Sequence, residues 1–256
     1  MTKKWFGIFS WFRKPNEPEQ LPSVEEVAPI SENIASTQSN PSPASPRRGI
    51  ADSFEQAAGY LSIRIHSEDY LKGLQDEEFI YRTDLAGTVT LLVLDMPYSV
   101  ENVLRSDAQR WDIPEESLFS FALENLRDNY KREIVRYDST ADQGMLSLSG
   151  QDSFLTSSVF MLDEWPGMHG RFGSIISMPD RYTFLVRPIA DDITLEVALQ
   201  VIIPFTFEHF EAADETEKVS ENIYWWYDGK LEHVPYNIGY SRLNYVLPIE
   251  LEDLIY

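Results

Sequence analysis

The stretch of the chain that comes nearest to a ligand-binding loop is DEWPGMHGRFGSIISMPDRY, residues 163–182. Glycines stand at positions 167, 170 and 173, and His169 is one of four histidines in the chain. A phosphate-binding glycine loop follows a strand and opens a helix, so that amide groups at the helix N-terminus meet the anion. Here the predicted order is helix, glycines, strand, which directs the carbonyl end of the helix at the loop. We therefore interpret the glycines as a turn, with Gly173 at the helix exit or its connection into the strand.

A Pro-Asp-Arg turn supplies further candidate site residues. Arg181 could bind an anion, with Asp180 or His169 as acid or base, in an enzyme acting on a small polar substrate; this alternative needs all three residues in one concave pocket. Asp163 and Glu164 could join His169 on a metal ion, but no second histidine lies three or four residues away, so we predict no metal. We expect no cofactor, because the chain lacks Gly-x-Ser-x-Gly, P-loop and His-Glu-x-x-His motifs.

The hydropathy pattern predicts the elements that position these residues. Helices are predicted over residues 52–62, 112–130, 153–165 and 194–218, a strand over 88–97, and hairpins over 174–189 and 223–236. Asp112 and Glu115 are expected to cap the second helix, and Pro204 to kink or divide the last one. The hairpin turns are placed at Pro179-Asp180 and Asp228-Gly229. The predicted fold class is α+β, with antiparallel strands and hairpins packed against helices over residues 51–256.

The aromatic run Tyr224–Tyr227 alternates across the predicted last hairpin, so that one Tyr-Trp pair points to each face of the strand. One pair should pack in the core. The other either packs in a second core or forms an exposed recognition patch, and we favour core packing on both faces.

Residues 1–14, MTKKWFGIFSWFRK, carry four basic side chains and no acidic one. The segment lacks the long apolar region and cleavage site of a secretory signal. Three interpretations stay open for this basic aromatic arm: contact with an anionic membrane surface, docking in a protein groove, or folding back on the body. The candidate contact residues are Trp5, Phe6, Ile8, Phe9, Trp11 and Phe12. Residues 15–50, rich in Pro, Ser and Glu, are predicted to form a flexible linker, so that the arm and linker are disordered.

The composition restricts the classes of function. The formal net charge is −21, from 42 acidic and 21 basic side chains, which argues against nucleic-acid binding. The absence of cysteine excludes disulfides and thiolate catalysis and fits a reducing compartment. No apolar run approaches the roughly 20 residues that span a bilayer. We expect a cytoplasmic protein that the arm could attach to the inner face of the membrane.

Three stretches resemble the YtpQ-like proteins, a bacterial domain family of unknown function. They are residues 83–126, with Asp84-Leu85 before a strand and ALENL at the end of a helix, residues 152–165, and residues 173–186 with the Pro-Asp-Arg turn. The resemblance implies a bacterial cytoplasmic α+β domain and supplies no activity.

The leading hypothesis is a non-enzymatic, acidic interaction module, tethered by the linker to a peptide that contacts a membrane surface or docks on a partner. The charge contrast between residues 1–14 and the body supports it. The expected partner is an unidentified protein. The alternative is the enzyme based on Arg181 described above.

Overall fold

The computed structural model describes residues 47–72, 78–136, 144–149, 152–239 and 243–256. All of these described residues belong to one compact unit. The predictions for the arm, and for the linker as far as residue 46, lie outside the described residues. The last four residues of the predicted linker, Arg47–Ile50, form the short helix α1.

The described chain has helices and antiparallel sheets, so the fold is α+β, as the sequence predicts. The α-helices are α1 Arg47–Ile50, α2 Phe54–Ala57, α3 Arg105–Trp111, α4 Glu115–Asn129, α5 Asp192–Ala212 and α6 Ile249–Ile255. The 3₁₀ helices are Ala58–Tyr60, Glu68–Leu71, Leu155–Glu164 and Pro166–Met168. The strands are β1 Leu61–Ser67, β2 Tyr81–Arg82, β3 Thr88–Met96, β4 Ser99–Asn102, β5 Glu133–Arg136, β6 Leu146–Ser149, β7 Ser174–Ser177, β8 Leu185–Pro188, β9 Ile223–Tyr227, β10 Lys230–Val234, β11 Tyr236–Ile238 and β12 Leu243–Tyr245.

The first sheet is built around β3. All seven residues of β1 pair with residues 88–94 along one edge of β3. Strands β2 and β4 pair with successive parts of the other edge of β3. Eight of the nine residues of β3 are buried, so this strand is covered on both faces. Helix α4 packs on this sheet through an apolar stripe of Leu118, Phe119, Ala122 and Leu126.

The second sheet has six antiparallel strands in the order β10-β9-β7-β8-β6-β5. Because successive side chains of a strand point to opposite faces, Ile175 and Trp225 pack with α5, while Ile176 and Trp226 pack with the 3₁₀ helix Leu155–Glu164. Of the aromatic run, Tyr224, Trp225 and Trp226 are buried, so core packing on both faces is confirmed.

Several predicted elements are confirmed with shifted boundaries. The hairpin of β9 and β10 turns at Asp228 and Gly229, with φ of 47° and 75°, as a type I′ turn requires. The hairpin of β7 and β8 is also present, but its turn begins at Asp180, whose carbonyl accepts from the Thr183 amide. Helix α5 continues through Pro204 undivided, because buried side chains on both sides of the proline hold it on the sheet.

Three local predictions are wrong. The predicted helix 52–62 ends early, because strand β1 begins at Leu61. Asp112 does not cap α4: it has a left-handed backbone that ends α3, and Pro114 takes the N-cap position. The predicted helix 153–165 is a 3₁₀ helix interrupted by non-helical backbone at Met161.

Among the described helices, α5 alone is long and apolar enough to cross a membrane by length and composition: it has 21 residues, and one window has a mean hydropathy of 1.3. This corrects the expectation that no apolar run approaches that length. Its stripe from Leu195 to Thr206 is buried against the second sheet, which is the environment of a core helix.

Candidate functional site

Strand β1 carries the first residues of the candidate site. In the sequence LSIRIHS apolar and polar residues alternate, and because a strand has a period of two, Ile63 and Ile65 point to one face while Arg64 and His66 point to the other. Opposite Arg64 and His66 on the partner strand β3 lie Leu91 and Val89. Two ionisable side chains therefore start from an apolar stretch of the first sheet.

Arg64 is half-buried and unpaired. Its guanidinium lies 5.9 Å from the centre of the Phe154 ring, and its Nε is buried without a hydrogen-bond partner. No carboxylate of the described residues lies within ion-pair distance of it. Burial lowers the pKa of Arg64 most, and the positive charge of Arg181 lowers it further. The folded chain thus holds two guanidinium groups close enough to repel each other.

His66 is influenced by the same two charges and is neutral at physiological pH. It is 7% exposed, and its ring stacks on Tyr70 with 4.1 Å between the ring centres. Burial lowers the pKa of His66 to about 3, with smaller contributions from the charges of Arg64 and Arg181. The ring therefore does not add a third positive charge.

Arg181 enters from the connection between β7 and β8. Its backbone amide donates to the Glu217 carbonyl at 3.1 Å, and its guanidinium donates to the Thr216 carbonyl. Asp180 forms an antiparallel bridge with Lys218, so the turn is fixed to the segment that follows α5. The charge of Arg181 lowers the pKa of both Arg64 and His66, so its guanidinium lies within electrostatic range of these two residues of β1.

We call Arg64, His66, Tyr70, Arg181 and Tyr182 the cationic cluster. The Tyr182 ring lies 6.0 Å from the Arg181 guanidinium, and Tyr70 and Tyr182 are 38% and 48% exposed, so the cluster reaches solvent. Guanidinium groups suit an oxyanion such as phosphate or carboxylate, because their planar donors match its oxygen atoms. In a chain of net charge −21, such a local excess of positive charge is a candidate binding site.

Some negative charge reaches the cluster. The negative charge of Asp95 raises the pKa of Arg64, but its contribution to that pKa is the smallest of those acting on the group. The Asp95 carboxylate accepts a hydrogen bond from the Tyr130 hydroxyl. Burial and this hydrogen bond raise the pKa of Tyr130, which stays protonated and donates. Asp95 is therefore engaged elsewhere and does not form an ion pair with Arg64.

The three predicted pocket residues fall into two groups. His169 Nε2 lies 2.6 Å from the Leu162 carbonyl oxygen, and its ring stacks on Trp226 at 4.2 Å. The Asp180 carboxylate accepts from the Tyr182 amide at 2.8 Å. The structure joins Asp180 and Arg181 in one turn, and within the described chain neither has a hydrogen bond, ion pair or ring contact with His169.

The glycine stretch forms a tight turn, which confirms the structural interpretation. Gly170 and Gly173 exchange two backbone hydrogen bonds of 3.1 Å. Gly173 has a φ of 78°, and a Cβ atom there would lie 2.1 Å from the Trp226 carbonyl oxygen. A Cβ at Gly170 would lie 2.3 Å from the backbone of Ile189. These glycines permit close backbone packing.

Within the part of the chain that is described, no three His, Asp or Glu side chains group together as a metal site would require. The six apolar residues of the arm, Trp5, Phe6, Ile8, Phe9, Trp11 and Phe12, lie outside the described residues, and their contacts stay predictions.

The sequence reasoning missed Arg64, His66 and Tyr70. The signal was the alternation of Leu61, Ile63 and Ile65 with polar residues, which is typical of a half-buried strand. In such a strand the polar positions share one face, so Arg64 and His66 could have been assigned to the polar face of β1 from the sequence.

Comparison with protein-family models, curated proteins and solved structures finds no match for this chain. Membership of the YtpQ-like family therefore stays a prediction.

Proposed function

We propose that this chain is a binding module whose cationic cluster recognises an oxyanion group, phosphate or carboxylate, on its partner. The observation that carries the proposal is Arg64, a half-buried guanidinium that has no counter-ion among the described residues and whose pKa the charge of Arg181 lowers. An unpaired, partly desolvated charge destabilises a fold, and a bound anion would remove that cost.

The chemistry of the cluster favours binding over catalysis. A general acid or base works best with a pKa near the operating pH, and the buried His66, with a pKa of about 3, is far from that. The guanidinium groups donate hydrogen bonds and do not accept protons under these conditions. The exposed rings of Tyr70 and Tyr182 add flat surfaces against which a ligand can pack.

The arm remains part of this proposal on the basis of its sequence. A linker of residues 15–46 could reach on the order of 100 Å when extended. That length leaves the module free to find its partner while residues 1–14 contact a membrane surface or a protein groove. The proposed location is the cytoplasm, with peripheral attachment to the inner face of the membrane.

Calorimetric titration of the full chain with inorganic phosphate and phenyl phosphate, at constant ionic strength, tests the proposal. We expect a dissociation constant of about 1 mM or lower for the phenyl compound. Arg64→Gln and Arg181→Gln should each weaken binding about 10-fold, because each removes a charge-assisted donor. Arg171→Gln is the matched control, since Arg171 is exposed and its guanidinium lies 4.9 Å from the Phe172 ring.

Binding that all three variants weaken equally would reflect general charge attraction and would contradict a specific site. No heat of binding from either anion would do the same. Far-ultraviolet circular dichroism of each variant establishes that the fold is intact before the comparison is made.

A further inference from the structure

A second cleft lies on the opposite face of the first sheet from the cationic cluster. Its volume is about 230 Å³, it is open to solvent, and it is lined by residues of the first sheet, the loop between β2 and β3, α4, the 3₁₀ helix Leu155–Glu164 and the hairpin of β9 and β10. The residues that line it are Ile63, Arg82, Asp84, Leu85, Thr90, Phe119, Leu123, Phe160, Gly229 and Leu231. Ile63 and Arg64 are neighbours on β1 and point to opposite faces, so the two sites are separate.

The lining of the cleft includes an apolar part. Six of its ten lining residues are aliphatic or aromatic, and they come from four elements and the loop between β2 and β3. A volume below the roughly 300–1,000 Å³ of pockets for drug-sized ligands suits a smaller molecule. The walls therefore favour a compact ligand with an apolar body.

The polar side chains of the cleft cluster together. Arg82 and Thr90 are directly paired across β2 and β3, so both project from the same face of the sheet. Thr90 is 1% exposed, and its buried hydroxyl has no hydrogen-bond partner. A buried polar atom without a partner is costly in a native protein and points to a ligand that would provide one.

Arg82 is held in place for binding. Its guanidinium lies 4.0 Å from the centre of the Phe119 ring and donates to the exposed Glu116 carboxylate at 2.9 Å. A guanidinium has five donors, and this contact engages one of its nitrogen atoms. Asp84, two residues after Arg82, is exposed and has no hydrogen bond or ion pair with any described residue.

We propose that the cleft binds a free amino acid with an aliphatic or aromatic side chain. Its carboxylate pairs with Arg82, its ammonium group pairs with Asp84, and its side chain lies along Phe119, Leu123 and Phe160. Asp84 would repel a simple carboxylate and Arg82 would repel a simple amine, so a zwitterion satisfies both charges. The hydroxyl of Thr90 donates to the ligand carboxylate.

The test measures binding of four probes to the full chain by calorimetry: L-leucine, L-phenylalanine, 4-methylpentanoate, which lacks the ammonium group, and 3-methylbutylamine, which lacks the carboxylate. We expect at least one amino acid to bind with a dissociation constant of about 1 mM or lower. Both single-charge analogues should bind about 10-fold more weakly or worse, because each leaves one charged side chain unpaired.

Two variants examine the polar end of the cleft. Asp84→Asn should weaken amino-acid binding about 10-fold, whereas the control Asp253→Asn, an exposed carboxylate lining another cavity, should leave it unchanged. Thr90→Val should weaken binding without lowering the unfolding midpoint, because the hydroxyl has no partner in the free protein.

The inference is overturned if no amino acid binds at 10 mM, a concentration of about ten times the expected constant. It is equally overturned if 4-methylpentanoate binds as well as L-leucine, or if Asp84→Asn has no effect. Phosphate binding by the cationic cluster is measured separately, so either proposal can fail without the other.

Discussion

Replacing Arg64 by methionine should not destabilise the protein, although Arg64 is half-buried. Its guanidinium forms no ion pair with any residue that the structure describes, and its packing on the Phe154 ring at 5.9 Å contributes about 0.5–1 kcal/mol. Removing the charge relieves its repulsion with Arg181, which is on the order of 1 kcal/mol at a partly exposed position. Methionine retains the apolar length of the side chain. We expect the free energy of unfolding to rise by between zero and about 0.5 kcal/mol.

The same substitution at Arg132 provides the matched control. The Arg132 side chain is 4% exposed, donates to both oxygens of Asp152, and donates to Ser158 Oγ at 3.0 Å. Arg132→Met removes the guanidinium that pairs with the Asp152 carboxylate and the Ser158 hydroxyl, and it should lower the free energy of unfolding by about 3–5 kcal/mol.

Urea unfolding followed by tryptophan fluorescence measures both free energies of unfolding, and equal m-values establish that the unfolding transitions are comparable. The reasoning fails if Arg64→Met lowers the free energy of unfolding by about 2 kcal/mol or more, the range typical of a structural side chain. Arg64 would then be part of the core architecture, and its lack of a counter-ion would not indicate a ligand.

Three further predictions concern pH, the glycine turn and the arm. The pKa of His66 is about 3 in the folded chain and about 6.5 in the unfolded chain, so the unfolded chain binds the extra proton as the pH falls. Between pH 7 and pH 5 the free energy of unfolding of the wild type should therefore fall by about 2 kcal/mol more than that of His66→Gln, as measured by urea titration. Gly173→Ala should lower the free energy of unfolding by about 3 kcal/mol or more, because the new Cβ would lie 2.1 Å from a carbonyl oxygen. In Gly167→Ala the new Cβ would lie 3.8 Å from its nearest neighbour, so the free energy of unfolding should change by less than about 0.5 kcal/mol in thermal unfolding. A peptide of residues 1–14 should bind anionic vesicles several-fold more weakly at high than at low salt, and binding that ignores salt would favour a protein groove.

The elements that the sequence predicted correctly have local signals. The apolar stripe of α4 repeats every three or four residues, and Asp228-Gly229 fits the left-handed backbone of a two-residue hairpin turn. Burial of Tyr224–Trp226 on both faces follows from the same local alternation. Each of these patterns lies within one element, so no knowledge of tertiary contacts was needed.

The elements that were mispredicted have competing local signals. The helical pattern of residues 52–62 extended into Leu61, where the alternation of β1 already begins. Asp112 with Glu115 matches a capping box, but the short helix α3 ends at Trp111 and uses Asp112 in a left-handed conformation. Neighbouring elements, rather than propensity, decided both boundaries.

The candidate site was predictable only in part. The turn with Asp180 and Arg181 could be found from the sequence, and the suggestion that Arg181 binds an anion is retained in the proposal. Arg64 and His66 belong to β1, far away in the chain, and only the folded chain brings them within electrostatic range of Arg181. No local pattern contains that contact.

Side-chain ¹⁵N spectra of the arginine guanidinium groups test the central claim most directly. Addition of phenyl phosphate at constant ionic strength should shift the signals of Arg64 and Arg181 along one saturable curve and leave that of Arg171 in place. Signals of Arg64 and Arg181 that stay fixed, or that move no more than the signal of Arg171, would contradict oxyanion recognition by the cationic cluster.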